Sequence, residues 1–387
     1  MTAPAPHSPC PPHWLDGLDA LAEHAIGLSD PNPRVACRLI TADGRVFEGH
    51  TQEAGGPHAE VMALRAARAA GADTTGATAL VTLEPCSHHG RTPPCCDALI
   101  DAQVAHVVVA LTDPNPLVGG QGLDRLRAAG VRVDVLDAQH PLAVASRELN
   151  IGFLSRMQRG RPWVRMKIAA SLDGTTALPN GVSQWITGEA ARTDGHAWRK
   201  RASAVLTGIG TVHTDDPRLD VRLVPTARQP LRVVVDSRLE ISPQARILQP
   251  PGDVWVVHAA DPAATAQQQA ALRRLGATLV DCTGPAKVAG GAPKVDLGAL
   301  LRELGRREIN ELHLEAGYTL NGSWLREGLV DELLLYMAPK LLGTGAGLAQ
   351  IGPLDALNQG PDMVFTEVVP VGNDLRIRAR VVHTTTP

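Results

Sequence analysis

Aromatic residues are scarce in this chain: two tyrosines, three phenylalanines and six tryptophans among 387 residues. Lysine is missing altogether from residues 1–150, where ten arginines face seventeen acidic side chains for a net charge of −7, leaving +4 for the remainder. An acidic, aromatic-poor half has neither the basic footprint nor the stacking platforms that a polyanionic nucleic acid requires, so that class of partner is not expected; a small, locally recognised anion is compatible with it. The chain also lacks any apolar run long enough to cross a bilayer, and its start, MTAPAPHSPC, has neither the basic nor the apolar stretch of a secretory signal. A cytoplasmic protein with no membrane partner is the expectation. Cysteine is sparse too, at six residues. In a reducing compartment, the cluster Cys86, Cys95 and Cys96 reads as metal-binding or catalytic, with a disulfide the weaker explanation. Finally, no G-x-G-x-x-G occurs, which removes the standard dinucleotide fingerprint.

What is present is an ordinary globular composition, 44% hydrophobic and 20% charged, of a length that suits two domains. In the first half, a helix over 14–28 precedes a hairpin, VACRLI and RVFEGH, turning at Asp43 and Gly44. PHAEVMALRAARAAG then reads as a helix opening after Pro57 and stopping at Gly71. The strands TALVTL, HVVVAL and VRVDVL alternate with helices over PPCCDALIDA and GLDRLRAAG, which predicts an α/β layered domain over 1–151. The segment 152–162, GFLSRMQRGRP, is basic and broken by Gly and Pro, so it is taken as a linker. A second α/β domain over 163–387 is expected, with strands at WVRMKIAA, SAVLTG, LRVVVD, DVWVVH, NELHLEAG and DELLLYMAP, and helices near 188–201, 262–275, 297–306 and 318–328. Segments 283–294 and 343–360 read as loops.

The stretch LEPCSHHGRTPPC, 83–95, combines with PHAE, 57–60, to offer one imidazole and two thiols. Three N and S ligands with a fourth position left open is the arrangement of a catalytic zinc, whereas a structural zinc closes with four. His58, Cys86 and Cys95 are the chosen set; both cysteines follow prolines at helix starts, where the backbone dipole favours a thiolate. Glu60, two residues past His58, is the natural proton carrier between water and a leaving amine. H-x-E followed by P-C and a second cysteine is the pattern of zinc deaminases, here with eight residues between the cysteines instead of two. A four-ligand structural zinc using His88, His89 or Cys96 is the competing reading. In the second half, NELHLEAGYTLNGSWLREG looks like a strand, a Gly-containing turn and a helix whose free amides could hold a phosphate.

These motifs, with DPNP at 113–116, SLDG at 171–174, SQWITG at 183–188 and DDPRL at 215–219, resemble the family of bifunctional riboflavin biosynthesis proteins over about residues 14–380. That family joins a diaminohydroxyphosphoribosylaminopyrimidine deaminase to a 5-amino-6-(5-phosphoribosylamino)uracil reductase. The resemblance implies a cytidine-deaminase-like three-layer domain followed by a dihydrofolate-reductase-like α/β domain, with Zn2+ and NADPH as cofactors. It places zinc on His58, Cys86 and Cys95, the proton shuttle on Glu60, and a phosphoribosylated pyrimidine against Asn32 and Arg91. It places NADPH against Ala169, Trp185, Thr211, Asp215, Ser237 and the turn Gly317, Tyr318, Thr319, Leu320, Asn321, Gly322 and Ser323. The reductase substrate falls to Ser183, Arg199, Leu219, Arg222 and Glu315, with Lys167 near the reacting sugar. A homo-oligomer is expected. Asp30, Ala36 and Thr51 stand where the family pattern has His, Gly and His; His50 could replace the second histidine if the hairpin register shifts. A reductase with a degenerate zinc-binding scaffold is the alternative these departures leave.

Overall fold

The computed structural model describes residues 11–382, except 89–92, 116–118, 250, 262, 264 and 286–292. The chain divides into two compact units, 1–159 and 160–387.

In the first unit, strands β1 (Ala36–Ile40), β2 (Val46–His50), β3 (Thr78–Val81), β4 (His106–Val109) and β5 (Arg132–Val135) form one sheet in the order β2-β1-β3-β4-β5. The first pair is an antiparallel hairpin, β1 is also antiparallel to β3, and β3, β4 and β5 run parallel. Successive strand residues point to opposite faces, and both faces are apolar, so the sheet must be covered twice. Cys37, Leu39, Val81 and Val107 pack with α2 (Ala59–Ala69), α3 (Cys95–Asp101) and α4 (Gln121–Ala128). Ala36, Ile40, Leu80 and Val108 pack with α1 (Leu18–Glu23) and α5 (Pro141–Leu149). The result is a three-layer α/β/α sandwich. Residues expected as linker are instead mostly helix: α6 (Ile151–Arg159) continues after α5, and the division falls at Gly160. Buried Leu154 and partly buried Phe153 within the basic stretch, with buried Ile151 just before it, provide an apolar stripe, which the Gly and Pro at the ends of the stretch obscured.

The second unit is built on nine strands. In chain order these are β6 (Trp163–Ser171), β7 (Ala204–Gly208), β8 (Leu231–Val235), β9 (Val254–His258), β10 (Thr278–Asp281), β13 (Glu311–Leu314), β14 (Glu332–Ala338), β15 (Met363–Val371) and β16 (Asp374–Val381). A two-residue ribbon, β11 (Thr283–Gly284) with β12 (Lys294–Val295), stands apart. The sheet order is β10-β9-β8-β7-β13-β6-β14-β16-β15: seven parallel strands followed by an antiparallel hairpin. Helices α7 (Glu189–Arg201), α8 (Ile209–Asp215), α9 (Ala266–Arg274), α10 (Leu297–Arg306) and α11 (Tyr318–Arg326) make the crossovers. The six strands expected from the sequence are all strands. β10, β15 and β16 were not anticipated. Among the described residues no helix is long and apolar enough to cross a membrane.

One contact positions α2, and with it His58. A Cβ on Gly49 in β2 would lie 2.4 Å from the Ala59 carbonyl oxygen and 2.6 Å from Ala63 N, so only glycine lets strand and helix approach this closely. Gly49→Ala is expected to destabilise the first unit by about 1–3 kcal/mol, measured as a lowered midpoint in chemical unfolding.

Candidate active sites

Pro57 precedes α2, and His58 occupies the N-cap with extended backbone, which frees its ring from the helix. Cys86 follows β3 after a short buried run, and Cys95 is the first residue of α3, with Pro94 as its cap. The structure brings the three together. His58 Nδ1 lies 3.6 Å from Cys86 Sγ and 3.3 Å from Cys95 Sγ, and the three ligand atoms fall within 4.8 Å of one another. The Cys95 N–H donates to Cys86 Sγ at 3.3 Å. Cys96 Sγ turns away toward Asp97, and His88 is exposed. Among the described residues, His58, Cys86 and Cys95 are the one group arranged to hold a metal ion. Arg91 and His89 lie outside the described residues.

The electrostatics suit a thiolate-binding cation. The Cys95 thiol donates to Cys86 and pulls its pKa to about 4, against burial and with help from His58, while the same bond and burial push Cys95 upward. His58 is raised, first by its bond to Cys86. Glu60, 3% exposed, is pushed up to about 7, first by burial and then by the charge on Cys86. One imidazole and two thiols beside a buried carboxyl match the donor set and proton carrier of a catalytic zinc site.

A residue that sequence reasoning passed over organises this end of the sheet. Glu84, buried two residues before Cys86, accepts the backbone N–H groups of Asp113 at 2.9 Å, Gly120 and Gly122 at 3.0 Å, and Leu123 at 3.4 Å. It ties the second DPNP stretch and the start of α4 to the cysteine loop. Its position in the motif LEPC was the available signal.

Asn32 donates its N–H to the Ser29 carbonyl at 2.8 Å, which fixes the loop ahead of β1. The three departures have local explanations. Asp30 pairs with Arg34 at 3.8 Å, both nearly buried, and Arg34 is held further by the Leu149 carbonyl and by Asn150. Ala36 is a fully buried strand residue whose N–H donates to Thr82 Oγ1 at 3.0 Å. Thr51 Oγ1 accepts the Val35 N–H at 3.2 Å. His50 lies opposite Ala36 in the β1–β2 pairing and packs edge-on against His24, with ring centroids 5.5 Å apart.

In the second unit, Glu315 follows β13 and is gripped by Arg199 from α7, Nε to Oε1 at 2.5 Å and Nη2 to Oε2 at 2.9 Å, with Lys167 Nζ of β6 at 3.8 Å. Buried His313 places Nε2 3.3 Å from Glu315 Oε1 without making a hydrogen bond. Burial works against an ionised Glu315, but Arg199 and Lys167 overcome it and hold its pKa well below the usual range. Burial pushes Lys167 down.

Ser183 Oγ donates to Asp215 Oδ1 at 3.3 Å, which joins the SQWITG segment to the end of α8. Trp185 is 63% exposed, with the Arg192 guanidinium 4.6 Å from its ring centroid, so it is not a core aromatic. Thr211 on α8 faces Gly317, the N-cap of α11, whose first turn lacks a side-chain cap. Residues 318–323 are therefore helix, and only Gly317 remains turn. Ala169 is half-buried on β6. Three expected contacts are limited by packing. Leu219 is buried in the core, so only its backbone is free to meet a ligand. The Asn321 side chain is buried, with its Nδ2 donating to the Leu348 carbonyl, and Ser237 Oγ accepts the Val295 N–H.

A metal-ligand triad with a buried carboxyl on an α/β/α sandwich, followed by a mostly parallel α/β unit, defines a zinc-site deaminase unit joined to a reductase unit. Residues 14–111 match the cytidine and deoxycytidylate deaminase zinc-binding region, and residues 162–377 match the RibD C-terminal domain. The chain is 45% identical to riboflavin biosynthesis protein RibD of Escherichia coli (strain K12) over 370 residues, covering 92% of this chain and 95% of that one. To the RibD of Haemophilus influenzae it is 41% identical over 365 residues, covering 90% and 91%. Among solved structures, RibD of Acinetobacter baumannii superposes with a TM-score of 0.83 at 38% identity, covering 96% of this chain and 98% of that one. A Thermotoga maritima protein described as a diaminohydroxyphosphoribosylaminopyrimidine deaminase/5-amino-6-(5-phosphoribosylamino)uracil reductase superposes with 0.80 at 29% identity and the same coverage. The chain belongs to the RibD family of riboflavin biosynthesis proteins, and it is a bifunctional deaminase and reductase.

The raised pKa of Glu60 has a consequence in metal-free protein. Its carboxyl prefers the protonated form in the fold, so the penalty is absent below pH 4.5, grows between pH 4.5 and 7, and is complete above. Metal-free Glu60→Gln is expected to match the parent near pH 4.5 and exceed it by about 3 kcal/mol above pH 7, read from denaturant unfolding at both ends.

Proposed function

We propose that the first unit deaminates 2,5-diamino-6-(5-phosphoribosylamino)pyrimidin-4(3H)-one at a zinc held by His58, Cys86 and Cys95, and that the second reduces the ribosyl group of 5-amino-6-(5-phosphoribosylamino)uracil with NADPH. The observation that carries this reading is the convergence of His58, Cys86 and Cys95 beside buried Glu60. Zinc, when bound, supplies Lewis-acid activation of water at neutral pH. Glu60 takes the proton from the attacking water on its carboxylate and returns it to the departing amine, and its burial beside the two cysteines and His58 places it for both transfers. Asn32 is assigned to the phosphoribosylated pyrimidine in this reading, and Arg91, outside the described residues, is assigned to its phosphate from the sequence. The acidic balance of residues 1–150 argues against a nucleic-acid substrate.

In the reductase unit, NADPH supplies the hydride that reduces ribose C1. The α8 and α11 segments, with Ala169, Trp185, Thr211, Asp215, Ser237 and residues 317–323, form the cofactor side. Lys167, Ser183, Arg199, Leu219, Arg222 and Glu315 form the substrate side. Lys167 holds a proton at Nζ and is positioned by Glu315 to give it to the ring oxygen as the C1–O bond opens. A cytoplasmic setting is consistent with free thiols at all five described cysteines.

A homo-oligomer is supported by the sheet edge. β15 is the last strand of the nine and exposes Val364, Phe365 and Val368 at 57%, 71% and 53%. An antiparallel edge of this kind is self-complementary about a two-fold axis.

Two measurements test the proposal. Ammonia release by zinc-loaded protein, with NADPH omitted, is expected to fall about 10²- to 10⁴-fold in Glu60→Gln while zinc content stays unchanged. No release from the parent, with zinc bound, would leave the reductase as the sole activity. Phe365→Glu is expected to convert the assembly to monomer by light scattering; an unchanged mass would remove β15 from the interface.

A further inference from the structure

His196 lies on α7 one turn before Arg199 and is 5% exposed. Its ring stands between two arginines of the substrate side. Nδ1 accepts the backbone N–H of Arg222 at 3.1 Å, and Nε2 lies 3.5 Å from Arg199 Nη1. Both neighbours can only donate, so an imidazolium here would face donors at each nitrogen. Burial, Arg199 and Arg222 lower its pKa to about 4, with Glu315 and Asp220 pulling the other way. A neutral imidazole offers one lone pair, and the shorter contact assigns it to Nδ1.

That bond is one of several that hold the segment Arg218–Arg222. The Asp220 carbonyl accepts Arg199 Nη1 at 3.0 Å. Val221 is clamped by Gln229, which accepts its N–H at 2.7 Å and donates to its carbonyl at 2.9 Å. The Asp220 carboxylate holds Arg222 Nη1 at 2.6 Å and Arg218 Nε at 3.0 Å. The contact from His196 fixes the main chain of Arg222 itself, and the same ring backs the guanidinium of Arg199.

We propose that His196 is a positioning residue for the anion-binding end of the reductase substrate site: through its Nδ1 acceptor it fixes the main chain of Arg222, whose half-exposed guanidinium meets the phosphate monoester of the substrate, while Arg199 stays committed to Glu315 and the Asp220 carbonyl. It acts through Arg222 and does not touch the sugar that is reduced. This rests on the assignment of Arg199 and Arg222 to the substrate side.

The test uses full-length protein, NADPH and the deaminated phosphoribosyl substrate, with inorganic phosphate as competitive inhibitor. His196→Leu is expected to raise KM and the phosphate inhibition constant together by about five- to tenfold, the worth of one hydrogen bond, with kcat and NADPH affinity nearly unchanged. His196→Asn, whose Oδ1 falls near the place of Nδ1, is expected to restore KM to near the parent value; His196→Gln, which reaches the Nε2 side instead, is not. The Asn and Gln pair decides the matter even if the Leu variant does not fold. Arg222→Ala sets the scale. If it raises KM while the Leu and Gln variants do not, the role of His196 is overturned alone. If Asn is as impaired as Gln, the acceptor role is overturned. If Arg222→Ala changes neither KM nor phosphate inhibition, the assignment of the anion end fails and the proposal with it.

Discussion

A buried carboxyl group is costly unless its oxygens are occupied, and each unit of this protein is assembled around one that is. In the first, Glu84 receives four backbone N–H groups from a loop and helix start some thirty to forty residues away. In the second, Glu315 receives the Nε–Nη2 edge of the Arg199 guanidinium on its two oxygens, with Lys167 close by. Each joins segments that the topology already brings to one end of a sheet, and each stands beside residues with a chemical task. Removing either partner set would leave a desolvated charge, so the loops around both sites are held by more than their own turn propensities.

The fold was legible where its periodicity was strong. The strands VVV, LRVVV and ELLLYMA are apolar runs of strand length, and α2, α4, α7 and α10 carry helical stripes with glycine or proline at an end. The C-terminal hairpin escaped because its edge strand β15 mixes exposed Val364, Phe365 and Val368 with charged neighbours, and β16 beside it alternates arginines with apolar residues, so neither reads as an apolar run. Helix α6 escaped for a different reason: its buried face is short, and the basic, Gly-flanked composition outweighed it.

The candidate zinc site could be read from residue chemistry, since His, Cys and Glu at those spacings have few other uses. The reductase site could not be read that way. The residues proposed for it lie on β6, after β13 and around α7, α8 and α11, and no spacing in the chain records that these elements meet. The buried side chains of Leu219 and Asn321 show the limit of carrying roles over by position: backbone can serve a ligand while the side chain serves the core. His196 and Glu84 went unnoticed because both act on main-chain amides, which leave no pattern in sequence. The departures at Asp30, Ala36 and Thr51 are absorbed by an ion pair, a strand position and a hydroxyl acceptor.

Strand β6, at residues 163–171, finds its two neighbours in β13 and β14, which begin at residues 311 and 332 and are translated much later. The first unit has no such debt: all its strand partners lie within residues 36–135. On the ribosome, therefore, the metal-binding half can fold while the other is still being made, whereas β6 waits, apolar and unpaired, until nearly the whole chain has emerged. The interval in which that strand is open to wrong partners is set by the order of elements along the gene, independently of how stable the finished sheet is.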